Sequence, residues 1–222
     1  MTLRLNGSSS GYVELDVPAA AGSHTLTLPD GGGSSGQYLQ TNGSGALSWA
    51  TVSTGLLQTQ QTVVTTQTSF STAPSGLGQW FDVPSMSINV TTTAANSKII
   101  LNAFVFGEHT DNEAEKAFKI VRTVGATSTN LSATGSSARP GVWAMMTTGW
   151  NSADNTNTPS STPLNSYIDE PNQASGTTIT YKVQVWSHNA GSTFYLNRTV
   201  NNTDHPYSEL GWSYINLMEV AV

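Results

Sequence analysis

The first fifty residues carry too little apolar side chain to hold themselves in place, and that shortage limits what the whole chain can be. Residues 11–52, GYVELDVPAAAGSHTLTLPDGGGSSGQYLQTNGSGALSWATV, read as four short β-segments over 12–17, 24–28, 37–40 and 47–52. Pro18, Gly22, Pro29, the glycines at 31–33 and the Asn42-Gly43 turn signal cut them apart. Burying one large apolar side chain gives about 1.5–3 kcal/mol, whereas ordering one residue costs about 1.5 kcal/mol. Here a large apolar residue comes only about once in four positions. Net gains near 1 kcal/mol per hydrogen bond do little for strands this short. The expectation is an intertwined stalk completed by other copies of the chain. Tyr12, Val13, Leu15, Leu26, Leu28, Tyr38, Leu39 and Trp49 supply its trimer or attachment contacts.

The texture changes after Val52. This predicts a module over 1–52, a Gln/Thr-rich connector over 53–68 and a larger domain over 69–222. Serine, threonine and asparagine make up roughly a third of the chain and charged residues 10%, with 20 Gly and 9 Pro. That balance favours an all-β protein whose surface is satisfied by hydroxyls and amides. Six Trp, seven Tyr and six Phe exceed what a disordered segment carries.

A net charge of −6 with only eight scattered Lys and Arg argues against nucleic acid as a partner. With no cysteine, disulfides and thiolate metal sites are excluded. The segment MTLRLNGSSSG has no apolar h-region, and the longest apolar run is the five residues VWAMM at 142–146, so neither a signal peptide nor membrane insertion is expected. The expected product is made in a host cytoplasm without a secretion signal.

Within 53–68 the seven-residue spacing of Leu56, Val63 and Phe70 hints at coiled coil, but Gln60, Gln67 and the threonines favour an extended segment leading into the first strand of the next domain. Further strands are predicted over 79–83, 86–91, 98–106, 117–124, 142–147, 177–187, 193–200 and 213–221. Tyr181, Val183 and Val185 alternate with Lys182 and Gln184, and Trp186 breaks the polar face. Such a succession of antiparallel strands makes a β-sandwich, most simply a jelly roll. The run NEAEKA at 112–117 is too short for more than a loop turn. Residues 149–165, GWNSADNTNTPSSTPLN, and 201–208, NNTDHPYS, read as polar loops of functional length.

Two blocks carry a resemblance. The first is GYVELDVPAAAGSHTLTLP followed by GQYLQTNGSGALSWATV. The second is TITYKVQVWSHNAGSTFYLNRTVNNTD with the terminal YINLMEVAV, together with SINVTTTAANSKIIL and FKIVR. In both, the chain resembles tail-fibre and fibre-like virion proteins of marine tailed phages, cyanophages in particular. The resemblance implies a homotrimeric β-structured appendage of the virion, with an N-terminal attachment or shaft module and a C-terminal knob. Its implied partners are further copies of itself, other tail or capsid proteins, and a host-surface glycan or protein.

Most motif matches have a plainer explanation. Gly31, Gly33 and Gly36 satisfy G-x-G-x-x-G, but the segment after them is another strand, so the helix N-terminus that holds phosphate is missing. Gly7, Ser9 and Gly11 match G-x-S-x-G inside low-complexity GSSSG, which reads as a linker. His109, Asp111 and Glu113 alternate as ligands would, yet the zinc set lacks a fourth member. Asp154, Asn155 and Asn157 lack the glycine and terminal glutamate of a calcium loop. His24, His188 and His205 stand singly. No cofactor or metal is expected.

Glycan cleavage needs two carboxylates facing a groove. Asp169 and Glu170 are adjacent and point to opposite faces of a strand, and Asp154 and Asp204 lie in separate loops with nothing in the sequence to bring them together. The expectation is a binder and not an enzyme, with contacts through Trp150, Asn151, Asp154, Asn155 and Asn157 in one loop and Asp204, His205 and Tyr207 in another. Trp143, Trp186 and Trp212 are expected in the core or at a trimer seam, and Arg198 is expected to pair with Glu219. Two alternatives remain, a capsid decoration protein and a glycan-degrading tailspike.

Overall fold

A computed structural model describes residues 3–16, 18–20, 22–51, 55–72, 78–110, 116–136, 139–146, 159–188, 192–206 and 208–222. Among these residues every regular element is a β-strand, and every strand pairing is antiparallel. The chain divides into two compact units, Met1–Ser53 and Thr54–Val222.

The first unit contains two hairpins. Strands β1 (Leu3–Asn6) and β2 (Tyr12–Leu15) pair across a turn closed by Gly7 N–H donating to the Gly11 carbonyl at 2.9 Å. The G-x-S-x-G match is therefore a hairpin loop. Strands β3 (Gln37–Thr41) and β4 (Leu47–Thr51) pair around Asn42, whose Oδ1 accepts from Ser44 N at 2.9 Å and Ala46 N at 3.2 Å. The segment expected as a strand over 24–28 makes only a single bridge, Thr27 to Ala46. Gly33 and Gly36 take positive φ in the turns before β3, as the plainer reading of the G-x-G-x-x-G match requires. Gly33 also lies under Trp49, whose indole Nε1–H donates to the Gly31 carbonyl at 2.6 Å. None of the described residues of this unit is buried.

The second unit is two facing sheets over one core. The first sheet runs β7 (Gln79–Thr91), β13 (Thr178–Ser187), β9 (Ala117–Val124), then β10 (Thr127–Leu131), with the short β11 (Ala144–Met145) on the same β9. The second sheet has β8 (Lys98–His109) at its centre, paired to β12 (Ser160–Asp169), β15 (Ser213–Val220) and β14 (Thr193–Leu196). Outside β15 and β14 lie β5 (Leu56–Val64) and β6 (Thr68–Ser71). Period-two alternation sends Ile99, Leu101, Ala103 and Val105 from one sheet and Ile179, Tyr181, Val183 and Val185 from the other into the same buried cluster.

Several expected boundaries move, each for a physical reason. Residues 53–68, expected as a connector, contain β5, which is hydrogen-bonded along β15 and polar because it is an edge. All of 160–165, expected as loop, belongs to β12. There Ser160, Thr162 and Leu164 point inward while Ser161 and Pro163 point out. Ser160 Oγ and Thr162 Oγ1 satisfy each other at 2.9 Å, so a buried face can be written in hydroxyls. Pro163 is tolerated because β12 pairs with β8 alone. The two strands expected over 79–91 are one, and its register slips where residues 83–86 oppose Val183, with Ser85 at φ 61°. The strand expected over 193–200 stops at Leu196, because Asn197 turns left-handed at φ 65°.

Candidate functional site

The outer face of the β7–β13–β9 sheet carries a cavity of about 760 Å³. Because Val185 points into the core, its neighbour Trp186 points out, directly opposite Trp80 on β7. The two rings lie 5.5 Å apart and tilted by 56°. Gly78, at φ 74°, lets Trp186 sit close, since a Cβ there would stand 2.2 Å from the indole. On β9, Phe118 and Ile120 are core residues, so Lys119 between them also faces outward.

Lys119 is nonetheless only 5% exposed. Its Nζ sits 4.2 Å from the Trp80 ring centroid and donates to Asn130 Oδ1 at 2.9 Å. Burial holds its pKa below the ordinary lysine value. The wall opposite is formed by residues 132–136 and 139–141. Ala133 N bonds the Val142 carbonyl at 3.3 Å, and Ser136 and Arg139 exchange backbone bonds at 2.9 and 3.3 Å. Gly135 and Gly141 make that fold possible, since a Cβ on Gly141 would fall 1.8 Å from the Ala133 carbonyl oxygen. His188 completes the described lining, and among the described residues none of it is Asp or Glu.

The cations of the neighbouring strands are differently placed. Arg122 meets Asp169 at 2.6 Å, Lys98 meets Glu170 at 2.8 Å and Lys182 meets Asp82 at 3.1 Å. Asp169 also accepts from the buried Tyr181 hydroxyl at 2.8 Å, which with burial drives the phenol well above its usual range. Asp169 and Glu170 are thus engaged in separate ion pairs, one part-buried and one exposed.

Of the residues expected to bind a receptor, Trp150, Asn151, Asp154, Asn155, Asn157 and Tyr207 lie outside the described residues. Asp204 and His205 are exposed and do not line the cavity. Asp111 and Glu113 also lie outside the described residues, while His109 is buried with Nε2 2.7 Å from Thr72 Oγ1. The tryptophans separate. Trp143 packs against the core and Tyr167, Trp186 forms the cavity floor, and Trp212 is 66% exposed.

The expected Arg198–Glu219 pair does not form. Arg198 stacks on Tyr195 and donates to the Thr199 and Val200 carbonyls at 3.3 and 3.4 Å. Glu219 is held by Ser97, Gln58 and the backbone and hydroxyl of Thr93. Sequence reasoning missed the cavity because its members come from four separated segments. The one visible signal was Trp186 standing on an otherwise polar strand face.

No family model and no curated protein matches the chain. Among solved structures it is similar to a chain of the infectious bursal disease virus Gx strain, at 14% identity and a TM-score of 0.31, covering 98% of this chain and 45% of that one. A chain of the Gt strain gives 13% identity and a TM-score of 0.26, covering 97% and 44%. The chain spans under half the length of these neighbours.

Proposed function

We propose that this chain is a non-enzymatic virion appendage, a tail fibre or fibre tip, whose Met1–Ser53 unit serves trimerisation or attachment and whose Thr54–Val222 unit is a jelly-roll knob that binds a host-surface glycan. The observation that carries the binding part is the cavity, where a tilted Trp pair offers flat apolar faces beside amide, hydroxyl and cationic donors. Sugar rings stack on such faces while their hydroxyls take the donors. Cleavage would call for a carboxylate pair, and the described lining residues supply rings and donors.

The jelly-roll reading is supported by strand order. With β5/β6, β10/β11 and β14/β15 each counted as one broken row, the rows in chain order run first, eighth, third, sixth in one sheet and second, seventh, fourth, fifth in the other. That is the interleaving of two Greek keys. The virion reading is supported by the two resembling sequence blocks and by the exposed apolar side chains of the first unit.

Adsorption competition tests the proposal. The purified full chain, added to host cells before virus, is expected to lower attachment in proportion to its concentration, and Trp186→Ala is expected to compete less. Unchanged attachment, with the labelled protein found on the capsid, would establish the decoration reading instead.

A further inference from the structure

We infer that the Trp80–Trp186 cavity takes an acidic sugar, one bearing a carboxylate or sulfate, with its ring against the indoles and its anionic group between Lys119 and Arg139. This rests on the glycan-binding reading above and names the ligand class.

Charge placement comes first. The chain is acidic overall, at −6, with eight Lys and Arg in all, yet two of those eight line this one cavity beside His188, with no carboxylate among the described lining residues. Arg122, Lys98 and Lys182 each have an Asp or Glu within 3.1 Å. Lys119 has instead an amide oxygen and a ring face, although it is nearly as buried as Asp169, 5% against 4% exposed. A buried ammonium without a counter-charge is costly. An arriving anion would supply that charge and make charge-assisted hydrogen bonds, which are the stronger kind.

The remaining lining selects a sugar among anions. Asn130, Ser132, Thr134 and Ser136 present short hydroxyl and amide groups around the indoles, suited to a ring with several hydroxyls. The tilt of 56° makes an open corner rather than a parallel slot for a flat base. The volume of about 760 Å³ falls within the range of small-ligand sites, about 300–1,000 Å³.

Titration calorimetry of the full chain tests this with three probes: an oligogalacturonate for the carboxylate, a κ-carrageenan-derived oligosaccharide, which carries sulfate and no carboxylate, for the sulfate, and maltohexaose as the neutral control. At least one acidic probe is expected to bind at least about tenfold more tightly than the neutral one, with affinity falling as salt rises. Which acidic probe wins assigns the anionic group. The exposed Arg139→Gln, which leaves the core untouched, and Lys119→Gln are each expected to weaken the acidic probe about tenfold and the neutral one by a much smaller factor, since only the charge-assisted part of the binding is lost. Circular dichroism confirms the fold of each variant. Equal binding of acidic and neutral probes, or acidic binding that survives both substitutions, overturns the acidic-sugar inference while the glycan reading stands. If no probe binds at millimolar concentration, the inference also falls, and the glycan reading falls with it only if Trp186→Ala competes for adsorption as well as the parent.

Discussion

Asn197 sits where two half-strands meet, and all its polar groups are used there. Its Nδ2 donates to the Val64 carbonyl at 2.7 Å and the Thr66 carbonyl at 3.0 Å, and its Oδ1 accepts from Ser213 Oγ at 2.7 Å. The backbone N–H reaches the Phe106 carbonyl at 2.9 Å. One side chain thus joins the break between β5 and β6 to the break between β14 and β15. Glu219 does similar work at the other end of β15, bonding Ser97, Gln58 and Thr93 from three segments. Burial alone would raise its pKa, but those hydrogen bonds outweigh burial and hold it below the usual carboxylate range. A depressed folded pKa means stability that is fully present above the ordinary value and lost as pH falls through the folded one. Glu219→Gln is expected to cost about 2–3 kcal/mol at neutral pH, measured by urea denaturation, because a neutral amide cannot accept the same set of donors. The gap between parent and variant should begin to narrow as pH falls past the ordinary glutamate value and close only once it has passed the lower folded one.

Among the strands, what the sequence disclosed depended on which residues filled the buried face. Strands β8, β13 and β15 bury every second residue over most of their length, chiefly Ile, Leu and Val, and their alternation is plain in the bare sequence. Strand β12 buries Ser160, Thr162 and Leu164, so hydropathy alone read most of it as loop. Leu164→Ala is therefore expected to destabilise the fold by about 2–5 kcal/mol in thermal or urea unfolding, the usual cost of a core cavity. Ser161→Ala, on the opposite face, should be near neutral. A loop at this position would tolerate both. The cavity residues were hidden for a different reason. Trp80, Lys119, Arg139 and Trp186 lie far apart in sequence, and register alone brings Trp80 opposite Trp186. No local spacing encodes that meeting.

At the scale of the whole molecule, the two units differ in how they use apolar residues. Thr54–Val222 surrounds a core of fully buried side chains. In Met1–Ser53, Val13, Leu15, Leu26 and Leu28 are 63–68% exposed, and Tyr12, Tyr38 and Leu39 are 44–54% exposed. Apolar side chains this exposed support the proposed association of copies. Sedimentation equilibrium of the full chain is expected to return three times 23.4 kDa. Exchanging Leu26, Leu28 and Leu39 for Ser should shift the population toward a single copy, and a parent that sediments as one copy would defeat the trimer proposal. The interruptions at two sheet borders have a consequence of their own. Pro84 with the left-handed Ser85 roughens the free side of β7, and Pro163 removes a donor from the free side of β12. Copies held shoulder to shoulder at high local density would find no straight ladder of open amides there to zip onto, so crowding need not end in fibrils.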